Sequence, residues 1–137
     1  MFEAAGIGYG MSVLDIGSGA GDVALLLAEM VGPTGRVLGI DMNPSILETA
    51  RARVEAAGWR NVKFLEGDVE TLAVEAGFDA VVGRWILMYL PDPITALRRL
   101  ASRLRPGGII AFNEMDLTFP PNTFPATDSA PSSCAGW

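Results

Sequence analysis

Val13-Leu14-Asp15-Ile16-Gly17-Ser18-Gly19-Ala20-Gly21-Asp22 decides how the chain reads, because it joins an apolar run to three glycines at alternate positions. Val13, Leu14 and Ile16 suit a buried strand, and the glycines leave no Cβ to keep a ligand off the backbone. After them Val23, Leu26, Leu27 and Met30 recur at helical offsets. The stretch therefore predicts a strand, a tight loop and a helix whose N-terminal amides face the loop. Such an end carries partial positive charge and suits a carboxylate or phosphate.

Working outward, Gly32-Pro33-Thr34-Gly35 stops the helix, and Arg36-Val37-Leu38-Gly39-Ile40-Asp41 reads as a second buried strand. Asn43 and Pro44 supply an N-cap and a first helical residue for a helix with Ile46, Leu47, Ala50 and Val54 on one face, ended by Gly58. Asn61 to Glu66 alternates as a third strand, followed by Gly67-Asp68-Val69. Glu70 to Gly77 is a short helix or a loop. Phe78 to Gly83 is a fourth, strongly buried strand with Arg84 just beyond it.

Trp85 to Leu90 is apolar enough to pack under the rim of the sheet. Asp92-Pro93 repeats the cap-plus-proline start, and the helix that follows places Ile94, Leu97, Leu100, Ala101 and Leu104 in one stripe. Its arginines, Arg98, Arg99, Arg103 and Arg105, read as a solvated face near the helix C-terminus. Arg105-Pro106-Gly107-Gly108 turns the chain into a fifth strand, Ile109 to Asn113, with Glu114 and Asp116 after it. Met1 to Met11 gives only a weak signal for a short helix or turn. From Leu117 the prolines at 120, 121, 125 and 131 permit neither a sustained helix nor a central strand. The expected organisation is one domain over residues 1–116 and a Pro/Ser/Thr-rich tail over 117–137.

Composition narrows the chemistry. At 137 residues the chain suits one domain, large enough to bury roughly two-thirds of the surface its unfolded form exposes. Ten basic against sixteen acidic residues give a net charge of −6, so nucleic acid is not an expected partner. There is no histidine, one cysteine (Cys134) and one lysine (Lys63), which excludes histidine triads, Cys/His zinc sites and the P-loop lysine motif; no metal site is expected. The apolar runs are too short or interrupted to cross a bilayer, and the N-terminus lacks the charge and apolar core of a secretion signal. A cytoplasmic protein with no membrane partner is the expectation.

Strands alternating with helices predict an α/β, doubly wound, mostly parallel sheet, with ligands held over the C-terminal strand ends. Asp15 and the glycines, Asp41, Asp68 and Arg84 all fall at such ends. The dinucleotide fingerprint Gly-x-Gly-x-x-Gly, counted from Gly17, meets Asp22 where its third glycine belongs. That departure counts against a nicotinamide cofactor and leaves an NAD-dependent oxidoreductase as the second alternative.

Taken together, Val13 to Gly21, Gly39-Ile40-Asp41, Gly67-Asp68-Val69, Phe78-Asp79-Ala80-Val81 and Leu104-Arg105-Pro106-Gly107-Gly108 resemble the class I S-adenosylmethionine (SAM) dependent methyltransferases, in their bacterial small-molecule branch. The resemblance spans Val13 to about Glu114. It implies a Rossmann-like core of strand order 3-2-1-4-5, here lacking the family's sixth and seventh strands, and SAM as cofactor. It also implies roles. The loop holding Gly17, Ser18, Gly19 and Gly21 lies against the methionine part, Asp41 accepts from both ribose hydroxyls, and Met42 packs on adenine. Asp68 takes the adenine amino group, the Val69 N–H bonds a ring nitrogen, and Asp15 and Arg84 help to hold the amino-acid end.

No Asn-Pro-Pro-Tyr stretch follows the fourth strand, as it does in families that methylate planar amino groups, so the implied acceptor is a small molecule. No catalytic base is assigned. The first alternative is a truncated SAM-binding module without catalysis of its own. Without the sixth and seventh strands, Ile109 to Asn113 is expected to be an edge, covered by the tail or by the same strand of a second copy in a homodimer. Gly19→Val is expected to block binding at little cost to the fold.

Overall fold

The computed structural model describes residues 1–115; Asp116 and the tail at 117–137 lie outside the described residues. Five strands, β1 (Ser12–Ile16), β2 (Arg36–Asp41), β3 (Val62–Glu66), β4 (Phe78–Arg84) and β5 (Leu104–Asn113), form one sheet in the order β3-β2-β1-β4-β5. Every neighbouring pair is parallel. Three helices, α1 (Asp22–Val31), α2 (Pro44–Ala56) and α3 (Pro93–Ala101), make the crossovers together with the loop after β3. This is the predicted doubly wound order, with β1 at its centre.

Side-chain alternation along the strands divides the core into two layers. Val13, Val37, Phe64, Ala80 and Val82 pack against Val23, Leu27 and Val31 of α1 and Leu47, Ala50 and Val54 of α2. On the other face Leu14, Ile16, Ile40 and Val81 meet Leu100 of α3 and Val69 from the loop after β3. Phe2 and Ile7 of the N-terminal segment close the first layer. Both faces of the sheet are thus covered, as its apolar strands require.

Local signals account for the helix starts. The Asn43 side chain accepts from the amides of Ser45 and Ile46 with Pro44 at the first helical position, and Asp92 accepts from Thr95 with Pro93 placed likewise. Helix α1 has no side-chain cap and begins from Gly21 at φ 88°.

Three readings need correction. Leu104 does not continue the helical stripe, because α3 ends at Ala101 and Leu104 already pairs with Phe78. Ile109 pairs with Ala80, so Arg105, Pro106, Gly107 and Gly108 form a bulge inside β5 rather than a turn before it. A bulge on an edge strand tolerates proline's missing N–H, and Gly107 takes φ 77° there. Asp79 fastens this corner by accepting from the Ser12 amide at 2.7 Å and from the Arg105 guanidinium, which hold its carboxyl below the usual range. The third correction concerns Arg99. Its guanidinium is not solvated but donates to the carbonyls of Glu70, Thr71 and Leu72, the last two at 2.9 Å. Glu70 to Gly77 is a loop, and Arg99 ties its first residues to α3.

The two edges of the sheet differ. Asn61 and Gly67 bond to β2, so by the alternation of a parallel ladder the carbonyl of Phe64 faces outward. Arg51 of α2 donates to it at 3.1 Å, and the exposed Lys63 stands beside it on β3. Ile110 on β5 is an exposed apolar residue at the opposite edge.

Candidate active site

The ends of β1 and β2 carry the centre of the site. The glycine loop reverses direction over Gly17, Gly19 and Gly21, all with positive φ, and the Ser18 amide pins it to the Ile40 carbonyl at 2.9 Å. Three glycines that look alike in sequence differ in surroundings. A Cβ on Gly17 would fall 2.8 Å from the Ile86 side chain, and one on Gly21 3.3 Å from the Ala50 Cβ and 3.4 Å from Phe64. A Cβ on Gly19 would meet nothing within 4 Å. Gly17 and Gly21 are packed, whereas Gly19 presents bare backbone to open space.

Asp41, at the end of β2, holds that loop. Its Oδ2 accepts from the Gly19 amide at 2.9 Å and its Oδ1 from the Asn43 amide at 2.9 Å. From α2, Arg53 reaches the Ala20 carbonyl at 2.7 Å and Asp22 at 2.8 Å. Asp22, which displaces the dinucleotide glycine, is thus an exposed ion-pair partner; Arg84 lies 3.8 Å from its other oxygen and stacks over Trp85 at 4.9 Å.

Asp15 is the unusual member. Only 1% of it is exposed, and its Oδ2 has no hydrogen-bond partner among the described residues. Burial pushes its pKa from 3.8 up to about 8; the Arg84 guanidinium opposes the rise and the Asp41 carboxylate adds to it. Ser18 likewise buries a hydroxyl without a partner among the described residues. Buried polar atoms left in this state at a strand end point to a ligand with a complementary group.

Below the loop lies a cleft of about 160 Å³ with mostly apolar walls. It is lined by Ile16 and Gly17 from the end of β1, Ile40, Asp41 and Met42 from the end of β2, Gly67, Asp68 and Val69 from the loop after β3, and Ile86, Tyr89 and Leu90 from the turn after β4. Met42 is 67% exposed at its mouth. Asp68 turns one carboxylate oxygen to the Glu70 amide at 2.9 Å. The residues fit a flat heterocycle between apolar walls with hydroxyls near Asp41, which are the demands an adenosine makes. A wider cleft of about 650 Å³ runs along α2 and β3, lined by Arg51, Trp59, Arg60 and Lys63 among others, but it lies beside the sheet edge and away from the strand ends.

All the expected site residues therefore meet at one rim. Asp41, Met42, Asp68, Val69 and Gly17 line the cleft; Asp15 lies near the end of β1; Ser18, Gly19 and Gly21 belong to the loop; Arg84 stands at the neighbouring end of β4. Ile86, Tyr89 and Leu90 were expected only to pack under the rim, yet they form a wall of the cleft. Arg53 and Glu114 carried no expected role. Gly19→Val also needs revision, because φ 53° strains any β-branched side chain whatever space surrounds it.

The family pattern described as a methyltransferase domain matches residues 7–133. Among curated proteins the chain is 42% identical over 117 residues to an aklanonic acid methyltransferase of a Streptomyces species, covering 85% of this chain and 52% of that one. It is 39% identical over 100 residues to the demethylmenaquinone methyltransferase of Lactococcus lactis, covering 72% and 40%. It thus spans about half or less of the length of these relatives. A SAM-dependent methyltransferase from Aquifex aeolicus superposes with a TM-score of 0.76 at 28% identity, over 88% of this chain and 67% of that structure. With the family pattern over most of its length and the same fold, the chain belongs to the class I SAM-dependent methyltransferases.

Proposed function

We propose that the chain binds SAM over the ends of β1, β2 and β3 and transfers its methyl group to a small-molecule acceptor. The observation that carries this reading is the pairing of an open Gly19 with a fixed Asp41 beside an apolar cleft. Asp41 would accept from the ribose hydroxyls, charge-assisted bonds for which its orientation is already set by two amides. Met42 and Ile86 would sandwich the adenine, Asp68 would accept from its amino group and the Val69 N–H would donate to a ring nitrogen. The loop of Gly17, Ser18, Gly19 and Gly21 would lie along the methionine part, with Asp15 and Arg84 at its charged end.

When bound, the sulfonium supplies an activated methyl group. The protein's work is then alignment and exclusion of water, which a chain without histidine can do. Relatives acting on aklanonic acid and demethylmenaquinone support a small-molecule acceptor. We also propose a cytoplasmic protein that pairs through the exposed edge of β5 as a homodimer. Among the described residues no helix is long and apolar enough to cross a membrane.

The second reading is a SAM-binding module without stand-alone transfer, favoured by β5 standing at an edge of the sheet among the described residues. Titration calorimetry with SAM, S-adenosylhomocysteine and NAD tests the cofactor, and light scattering of the same samples tests the dimer. SAM and S-adenosylhomocysteine should bind at one site and NAD should not. NAD binding with no response to SAM would overturn the proposal, and SAM binding without methyl transfer to demethylmenaquinone or aklanonic acid would favour the second reading.

A further inference from the structure

Glu114 follows β5, yet its hydrogen bonds go to the turn after β4. Its Oε1 accepts from the amides of Ile86 at 3.1 Å and Leu87 at 3.2 Å, while the Trp85 amide donates to the Asn113 carbonyl at 2.9 Å. Three successive amides of one turn are thus received by Asn113, the last residue of β5, and Glu114, the residue after it. The turn needs holding. Trp85 takes φ 55°, a left-handed conformation that bulky L residues avoid, and the 3-10 turn Leu87–Tyr89 has no side-chain cap from within its own sequence.

What the turn delivers is Ile86. Its side chain occupies the space that a Cβ would need on Gly17 and on Gly83, 2.8 Å away in each case, so it fills the gap between the glycine loop and β4. With Tyr89 and Leu90 it lines the same cleft as Asp41 and Asp68, and these three make up the wall contributed by the turn after β4. We infer that Glu114 is a positioning residue for cofactor binding: by receiving the Ile86 and Leu87 amides it fixes the wall that closes over the adenosine half of the ligand. This rests on the SAM reading proposed above. The second oxygen, Oε2, is buried without a partner among the described residues, and the inference rests on the contacts of Oε1.

A residue that merely stabilised the fold would lower the melting temperature and leave the affinity of the folded protein unchanged. The test is titration of the full chain with S-adenosylhomocysteine and with adenosine, alongside thermal melts by circular dichroism. Glu114→Ala should weaken both probes about tenfold, because the wall contacts the half they share, and Glu114→Gln, which keeps an acceptor oxygen, should stay within about twofold of wild type. Should the alanine variant not fold, Glu114→Asp retains the charge but draws the oxygen back by one methylene, and it should show an intermediate loss. Wild-type affinity in the alanine or aspartate variant overturns the inference, as does weakening of S-adenosylhomocysteine without weakening of adenosine. Failure of the wild-type chain to bind either probe overturns the proposed function instead, and this inference with it.

Discussion

Two carboxylates stand at the ends of adjacent central strands and are treated in opposite ways. Asp41 has an amide on each oxygen, from Gly19 and Asn43, and it lies partly open to the cleft. Asp15, one strand over, is sealed from solvent with an unpartnered oxygen, and its proton is held up to about pH 8. The first is an acceptor fixed before any ligand arrives. The second is a charge that the unliganded protein suppresses, and a cationic group near it would restore ionisation. In the proposed reading, orientation is supplied at Asp41 and charge recognition is left to Asp15 and Arg84.

The largest effect that could break this contrast is the pH dependence of stability. The folded-state pKa of Asp15, about 8, lies above the ordinary 3.8 of the unfolded chain, so the folded protein keeps a proton that the unfolded one releases between them. The associated stability is fully present below pH 4 and is lost as pH rises through about 8. The slope approaches about 1.4 kcal/mol per pH unit, roughly 3 kcal/mol between pH 5 and 7. Asp15→Asn should flatten that slope in urea titrations at the two pH values. An equal slope in variant and wild type would mean that Asp15 is ionised in the folded protein and that the two carboxylates do not differ.

At Asp41 the expected change is in affinity. Asp41→Ala removes the proposed ribose acceptor and frees the Gly19 and Asn43 amides, and should cost about 1.5 to 3 kcal/mol of S-adenosylhomocysteine binding by calorimetry. Unchanged affinity in a variant with a native circular dichroism spectrum would show that the carboxylate serves the loop alone.

The smallest effect sharpens the contrast within the loop. Asn tolerates positive φ, so Gly19→Asn adds a side chain to the open position with little strain and should weaken S-adenosylhomocysteine binding by about 1.4 kcal/mol, the tenfold step, with the melting temperature nearly kept. Gly21→Ala should do the reverse, losing about 1 to 2 kcal/mol of stability to its φ of 88° and to the Ala50 contact. If both variants lose stability and neither loses affinity, the glycines serve packing only.

The alternation of strands and helices and the gathering of Asp15, Asp41, Asp68 and Arg84 at one rim were legible in the residues, since glycine and proline punctuate each crossover and a parallel sheet sends every strand end to the same side; the order of the strands came only with the family resemblance. Which of Gly17, Gly19 and Gly21 is open was not legible, because it depends on Ile86 and Ala50, brought there from elsewhere in the chain. The same holds for Arg53, Arg99 and Glu114. Each bonds to backbone groups 27 to 33 positions away, and a carbonyl or an amide carries no residue identity that a sequence pattern could register. Leu104 was misread because a leucine at the right helical offset also fits the first position of a strand.

Arg51 on the outward carbonyl of Phe64 has a consequence for how the sheet can be enlarged. A strand adding beside β3 would have to displace that guanidinium and accommodate Lys63, whereas β5 presents Ile110 on a ladder with no such guard among the described residues. Growth is therefore polar. Among the described residues the sheet is thus guarded on its β3 side and open on its β5 side, the side on which Glu114 follows the last strand.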